Sequence, residues 1–335
     1  RHVFQDAARP VAETGVPSVV EYRAFHNSDP PRLLAVWESS GLGRGAATGV
    51  TVDAFEALNF AQPYFDPAGL IVACEGELVV GFAHAGFGSD ALGTGLDPQN
   101  AVICACVVRP EHRRRGIGRE LVARAEAYLK SVGAATVHAG PAPHRDPFYV
   151  GLYGGAEPAG FLASDPDADP FFRALGYEPV EHFAIYQREL NTAEPVHFRL
   201  VQVRRTTQLA IAHQPNEPSW WWTTRFGRLD SVRFLLVPKT GGAALAQATI
   251  IGLDLYLNTW NARAIGLVDL FVPPQNRRNG YGRALVLDVC KRLREEMVTR
   301  AEMHVHEADE VCIALLESAG FERVDTGTVY RKTLA

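Results

Sequence analysis

Two kinds of apolar pattern alternate along the chain. "AVICACVV" (101–108) is continuously apolar, the pattern of a strand buried on both faces. Just after it, "IGRELVARAEAYLKSVG" (117–133) spaces Leu121, Ala125 and Leu129 four apart. That spacing predicts an amphipathic helix stopped by Gly133. Upstream, "GLIVACEG" (69–76) and "ELVVGFAHAGF" (77–87) read as two strands around a tight turn. Downstream, "ATVHAG" (135–140) predicts a strand, "PFFRALGY" (170–177) a short helix ending at Gly176, and "HFAIYQREL" (182–190) a closing strand. The order then returns. "SVRFLLV", "ALAQATIIGL" and "AIGLVDLFV" predict strands, followed by a helix over 280–297, the strand "AEMHVHE", the helix "EVCIALLESAG" and the strand "TVYRKTL".

Self-comparison makes the return explicit. Gly116 and Gly280 lie 164 apart (280 − 116). At that offset Val108, Pro110, Arg113, Arg114, Gly118, Arg119 and Leu121 match Val272, Pro274, Arg277, Arg278, Gly282, Arg283 and Leu285. Further on the offset is 144 (320 − 176), where "ALGYEPV" answers "SAGFERV", and Tyr186 and Leu190 answer Tyr330 and Leu334. The first copy therefore carries about 20 extra residues (164 − 144), expected in the Gly-, Pro- and Asp-rich stretch around 141–169. "LNTAEPVHF" (190–198) punctuates the boundary, giving domains 1–192 and 193–335.

Composition adds bounds. The chain has 335 residues, 47% hydrophobic and 21% charged, which suits two ordinary globular domains. A formal net charge of −5 argues against a general nucleic-acid binder, so the basic run at 112–115 is a local feature. The five cysteines are odd in number and form no CxxC pair, suggesting neither a disulfide framework nor a zinc site. Buried free thiols in a reducing cytoplasm are expected. No apolar run approaches the roughly 20 residues of a membrane span, so no membrane partner is expected. "RHVFQDAARP" has no apolar core of the signal-peptide kind. Oligomeric state is left open.

The matched segments "VVRPEHRRRGIGRELV" (107–122) and "FVPPQNRRNGYGRALV" (271–286) set two glycines between a buried strand and a helix. Glycines let the backbone turn sharply and present successive N–H groups. The helix start adds its positive dipole end, and guanidinium groups match phosphate geometry. A pyrophosphate is a natural guest. The dinucleotide fingerprint does not fit, because Leu121 stands where its third glycine belongs, and a Walker loop would need Gly-Lys-Ser/Thr. The alternative is a tight strand–helix turn with solvated arginines, which two copies in one context weaken.

The pattern Arg-x-x-Gly-x-Gly, after a strand ending in Val-x-Pro, resembles the GNAT superfamily of N-acetyltransferases. Arg113, Gly116 and Gly118 fit it in one copy, and Arg277, Gly280 and Gly282 in the other. "RALGY" and "ESAGF" resemble that family's last helix and following strand, so the resemblance covers nearly the whole chain as a tandem pair. It implies an α/β (α+β) fold: two domains, each a mixed, mostly antiparallel sheet flanked by helices. It also implies acetyl-CoA or another acyl-CoA as co-substrate, with direct acyl transfer to an amine of a small molecule or peptide. The pyrophosphate would lie on Arg113, Arg114, Arg115, Gly116, Ile117, Gly118 and Arg119, or on Arg277, Arg278, Asn279, Gly280, Tyr281, Gly282 and Arg283. The pantetheine would follow Val107 and Val108, or Phe271 and Val272.

Many family members carry a carboxylate on the strand after the long helix, about sixteen residues before the Gly-Phe pair. Counting back from Gly320 lands on His304, and His138 is taken as the comparable position in the first copy. Histidine titrates near neutrality and suits a base; a strand histidine merely held by hydrogen bonds is the alternative. His306 shares the face of His304. No further ligand spacing supports a metal. Asp269 is an acid inside an apolar strand, costly unless partnered, hence a network member or a base; its counterpart is Ala105. The family's thiolate-protonating tyrosine is missing, since Phe172 and Leu316 occupy its positions. Tyr153 or Tyr149 in the extra segment is the substitute, or else packs a loop. "PSWWWTTRF" (218–226) lines an acceptor cleft or, as favoured here, covers an interface or core. An acyl-CoA-binding module with one or both copies silent stands beside the enzyme reading, because the missing tyrosines leave binding intact.

Overall fold

A computed structural model describes residues 19–195, 198–212 and 219–334. The segment "RHVFQDAARP" and Pro218 lie outside the described residues. The first repeat runs β1 (Val20–Ala24), α1 (Pro30–Ser39), α2 (Val52–Asn59), β2 (Leu70–Glu75), β3 (Leu78–Ser89), β4 (Leu96–Val108), α3 (Ile117–Ser131), β5 (Thr136–Ala139), β6 (Phe161–Leu162), α4 (Ala168–Ala174) and β7 (Glu178–Glu189). The second runs α5 (Phe198–Thr206), β8 (Thr207–Ala212), α6 (Trp220–Phe226), β9 (Ser231–Pro238), β10 (Ala246–Gly252), α7 (Leu257–Trp260), β11 (Ala264–Phe271), α8 (Tyr281–Glu295), β12 (Arg300–His306), α9 (Glu310–Ser318) and β13 (Glu322–Thr333).

The apolar patterns do what their periods require. The α3 stripe of Leu121, Ala125 and Leu129 is fully buried, and so is the continuous run of β4 from Ala101 to Ala105. In α8 the matching Leu285, Val289 and Leu293 face the second core.

One 13-stranded sheet runs through both repeats, in the order β1-β2-β3-β4-β5-β13-β7-β12-β11-β10-β9-β8, with β6 also on β13. All pairings are antiparallel except β4–β5 and β11–β12. The closing strands are exchanged: β7 of the first repeat pairs β12 of the second, and β13 of the second pairs β5 of the first. The cores follow. Tyr330 of β13 packs in the first core and Tyr186 of β7 in the second. A linear boundary near 192 therefore separates the repeats along the chain but not in the sheet.

The extra segment interrupts a strand. β5 pairs β13 at Thr136–Ala139, and β6 resumes on the same neighbour at Phe161–Leu162. Gly140 and Gly160 meet so closely that a Cβ on Gly140 would sit 2.8 Å from the Gly160 Cα. The excursion between them leaves and re-enters at one point. In the second repeat the corresponding β12 is unbroken over Arg300–His306.

Candidate functional site

The two glycine loops share one backbone. Arg114 and Arg278 both have φ 62, and Gly116 and Gly280 both have φ 84. Left-handed residues at alternate positions after an extended arginine turn the loop's N–H groups to one side, forming an anion nest. Among the described residues, the amides of 114–116 and 278–280 donate to no protein acceptor. The first amides of α3 and α8 add unpaired donors, so the loops fit a pyrophosphate. Arg113 and Arg277 both donate Nε to a carbonyl where the strand gives way to the loop, Val108 and Val272, at 3.0 Å. They brace the loops. Arg113 also holds Asp167 at 2.9 Å, and Arg115 holds Glu75 at 2.9 Å. Arg114, Arg119, Arg278 and Asn279 are exposed and Arg283 is half-buried. At Gly118 a Cβ would meet Phe171 of α4 at 3.1 Å, and at Gly282 it would meet Leu315 of α9 at 2.8 Å. The second glycine lets the following helix approach.

Next to each loop the parallel strands part. β4 and β5 pair only at Val102–His138 and Ile103–Ala139. β11 and β12 pair only at Ala264–Arg300, Ile265–Ala301 and Gly266–Glu302. Each fork carries a bulge: the register shifts opposite His84/Ala85 on β4 and opposite Gln247/Thr249 on β11. In the second, Asp269 has φ 53, unusual for a residue with a side chain. A bulge takes a residue out of the ladder.

The forks differ in what fills them. Beside the first bulge, Phe148 stacks on His84 at 3.9 Å and Tyr149 on Trp37 at 5.4 Å. All four side chains are buried. Burial pushes His84 down to about 3 and the Cys104 thiol far up. Tyr153 is buried and its phenol oxygen accepts the Leu162 amide at 3.1 Å. Burial holds that phenol well above its usual range, which suits packing better than proton donation. His138 is pushed down to about 4 by burial and by Arg145, which makes it a weak base.

The second fork is open. Asp269 and Phe271 are exposed and Leu270 is half-buried. The first repeat's excursion reaches this fork. The Gly155 amide donates to Tyr256 Oη and the Ala156 amide to Glu302 Oε1, both at 2.9 Å. Ala156 packs so tightly on Gly266 that a Cβ there would lie 2.7 Å from its own Cβ. Glu157 follows. It is half-buried, and among the described residues its carboxyl makes no hydrogen bond or ion pair. Burial, then Asp269 and Asp146, push it up to about 8 against the pull of Arg225. Although the residue is exposed overall, partial desolvation of its carboxyl raises Asp269, opposed by Arg225 and Trp222. Arg225 of α6 is itself bonded to the buried Asp146.

The β12 acids and histidines have other tasks. Glu302 is fully buried and accepts four bonds: from Arg44 at 2.9 Å, Gln187 at 2.6 Å, the Ala156 amide at 2.9 Å and His304 at 3.0 Å. Burial alone would raise it; His304 and Arg44 outweigh that and hold it below 4.5. Such a carboxylate is a keystone between repeats and a poor base. His304 is buried against it. His306 is exposed, edge-on to Phe183 at 5.3 Å. The register also corrects one equivalence: His138 sits opposite Arg331 as Glu302 sits opposite Gln187. The counterpart of His138 is Glu302, and His304 matches the Gly160 end of the interrupted strand.

Sequence reasoning passed over Glu157, Glu302 and Arg44. The Glu302–His304 alternation in "AEMHVHE" was a usable signal; nothing in "GGAEPAG" singled out Glu157. The tryptophans divide. Trp221 is buried and its amide donates to Gly93 of the first repeat at 3.0 Å, Trp222 is half-buried and Trp220 is exposed. Among the described residues, no cluster of acids, histidines or cysteines is arranged for a metal, and no helix is long and apolar enough to cross a membrane.

The family model described as Acetyltransferase (GNAT) family matches residues 51–161 and 203–321. No curated protein matches the chain. Among solved structures, a tandem GNAT protein from the clavulanic acid biosynthesis pathway shares 21% identity at a TM-score of 0.67, over 94% of this chain and 98% of its own. A GCN5-related N-acetyltransferase from Sphaerobacter thermophilus shares 14% at 0.60, over 94% and 95%. A GCN5-related glucosamine N-acetyltransferase region of a fungal multi-domain β-N-acetylglucosaminidase shares 14% at 0.70, over 95% of this chain and 38% of that one.

Proposed function

The chain belongs to the GNAT acetyltransferase family, and from that premise we propose that its second repeat transfers an acyl group, most simply acetyl, from acyl-CoA to a primary amine of a small molecule or peptide. The observation that carries this reading is the contrast between the forks. The second is open and bordered by Glu157 and Asp269; the first is packed with Trp37, Phe148 and Tyr149.

The nest at 278–282 would hold the pyrophosphate, with Arg278 and Arg283 supplying charge. Phe271 and Val272 would flank the pantetheine. A backbone amide released at the bulge near Asp269 would stabilise the oxyanion. Holding amine and thioester in line lowers the barrier by itself, by several kcal/mol. The first repeat keeps its cradle, so it binds acyl-CoA without room for an acceptor beside it. The five free cysteines suit a reducing cytoplasm.

Incubation with acetyl-CoA and a panel of alkylamines, diamines, amino sugars and peptide α-amines, following free CoA thiol, tests the reading. Amine-dependent thiol release is expected. Calorimetric binding of acetyl-CoA with no release for any amine would favour a binding module instead.

A further inference from the structure

The excursion from the first repeat is an uneconomical way to close a strand break that the second repeat does without. At Gly155 and Ala156 it reaches the second repeat, where Tyr256 and Glu302 accept their amides and Gly266 packs against the Ala156 side chain, fixing the backbone just before Glu157. Glu157 is thus delivered where β11 and β12 begin to part. Its carboxyl lies within electrostatic reach of Asp269 of β11, Asp146 of the excursion, Arg225 of α6 and Cys312 of α9.

We propose that Glu157 is the general base of the second repeat's transfer site, contributed across the repeat boundary, and that Asp269 receives the acceptor as a cationic primary amine. This rests on the transfer reading above. The other groups serve less well. Glu302 already accepts four bonds. His304 is tied to Glu302. Burial drives the Cys312 thiol up to about 12. Glu157 has lone pairs to offer.

In the step, Glu157 takes one proton from the ammonium. The freed lone pair forms the C–N bond at the thioester carbonyl. The adduct breaks its C–S bond, the leaving thiolate takes a second nitrogen proton, and Glu157 returns its proton to solvent. The third nitrogen proton stays in the amide product. A base titrating near 8 works in its deprotonated form, so kcat climbs with pH up to that region and then levels.

The test uses the full chain with acetyl-CoA and the fastest amine of the panel, reading kcat at saturating amine across pH 6–10. Glu157→Gln is expected to lower kcat about 100-fold and remove the rising limb. Its acetyl-CoA affinity and melting temperature should stay at wild-type values, and Glu157→Asp should restore part of the rate. Asp269→Asn, tolerated at this φ, should act mainly on the KM of the amine. Wild-type kcat and pH profile in Glu157→Gln would overturn the proposal and leave the transfer reading standing. No turnover by wild type would overturn both.

Discussion

Four donors converge on Glu302, and they come from both repeats: Arg44 and Ala156 from the first, His304 from the second, and Gln187 from the exchanged strand. Removing its charge leaves Arg44 with only the longer ion pair to Asp325 at 3.8 Å, beside the Trp260 ring at 5.2 Å. Glu302→Gln is therefore predicted to lower stability by about 3 kcal/mol at pH 7. The pH sign follows from the direction of the shift. The folded carboxyl titrates below 4.5, so its contribution is present above that value and fades as pH falls through the folded one. Urea midpoints should differ clearly between wild type and variant at pH 7, and the gap should narrow as pH falls through the folded value; a gap that does not narrow at any acid pH would contradict the keystone role. At this scale the sequence was half legible. The strand "AEMHVHE" showed its histidines, but whether His304 is a base or a bound partner depends on Glu302 two residues away and on Arg44 far off in the chain. Only the fold brings those together.

At the scale of elements, most of the architecture was readable from period and punctuation. The buried strand, glycine loop and stripe-bearing helix appear twice because buried strands need unbroken apolar runs and helices need a repeating face. The drop in offset from 164 to 144 reported the extra segment, though not that it splits a strand or that it docks on the other repeat. Those depend on tertiary contacts with no local signature. Gly266 is the residue that admits the excursion, since a side chain there would run into Ala156. Gly266→Val is predicted to destabilise by about 1–3 kcal/mol through overpacking. Thermal denaturation should show a lower melting temperature, and limited proteolysis should show cleavage in 141–159. An unchanged melting temperature would mean that the excursion is not clamped there. Asp269 was likewise flagged as an acid in an apolar strand; the bulge that turns it outward was not foreseeable from alternation alone.

For the whole molecule, the exchanged strands make each repeat's sheet depend on the other. β13 continues the first half and β7 the second. Produced alone, 1–192 lacks the strand that covers β5, and 193–335 lacks the one that covers β12. Each is predicted to give no cooperative unfolding transition, whereas co-expression should yield a stable one-to-one complex, seen by size exclusion and calorimetry. Two independently folding halves would contradict the exchange. The same duplication supplies an internal control for function, because the two cradles match in backbone and differ in the forks they serve. Tryptophan at Gly116 or Gly280 imposes the same left-handed strain, φ 84 in both, and blocks one cradle at a time. The most direct measurement is therefore the rate of amine-dependent CoA release by Gly116→Trp and Gly280→Trp. Loss of transfer of at least about 100-fold in Gly280→Trp, with transfer kept in Gly116→Trp, is the predicted result. Loss in Gly116→Trp with transfer kept in Gly280→Trp would contradict the assignment of catalysis to the second repeat.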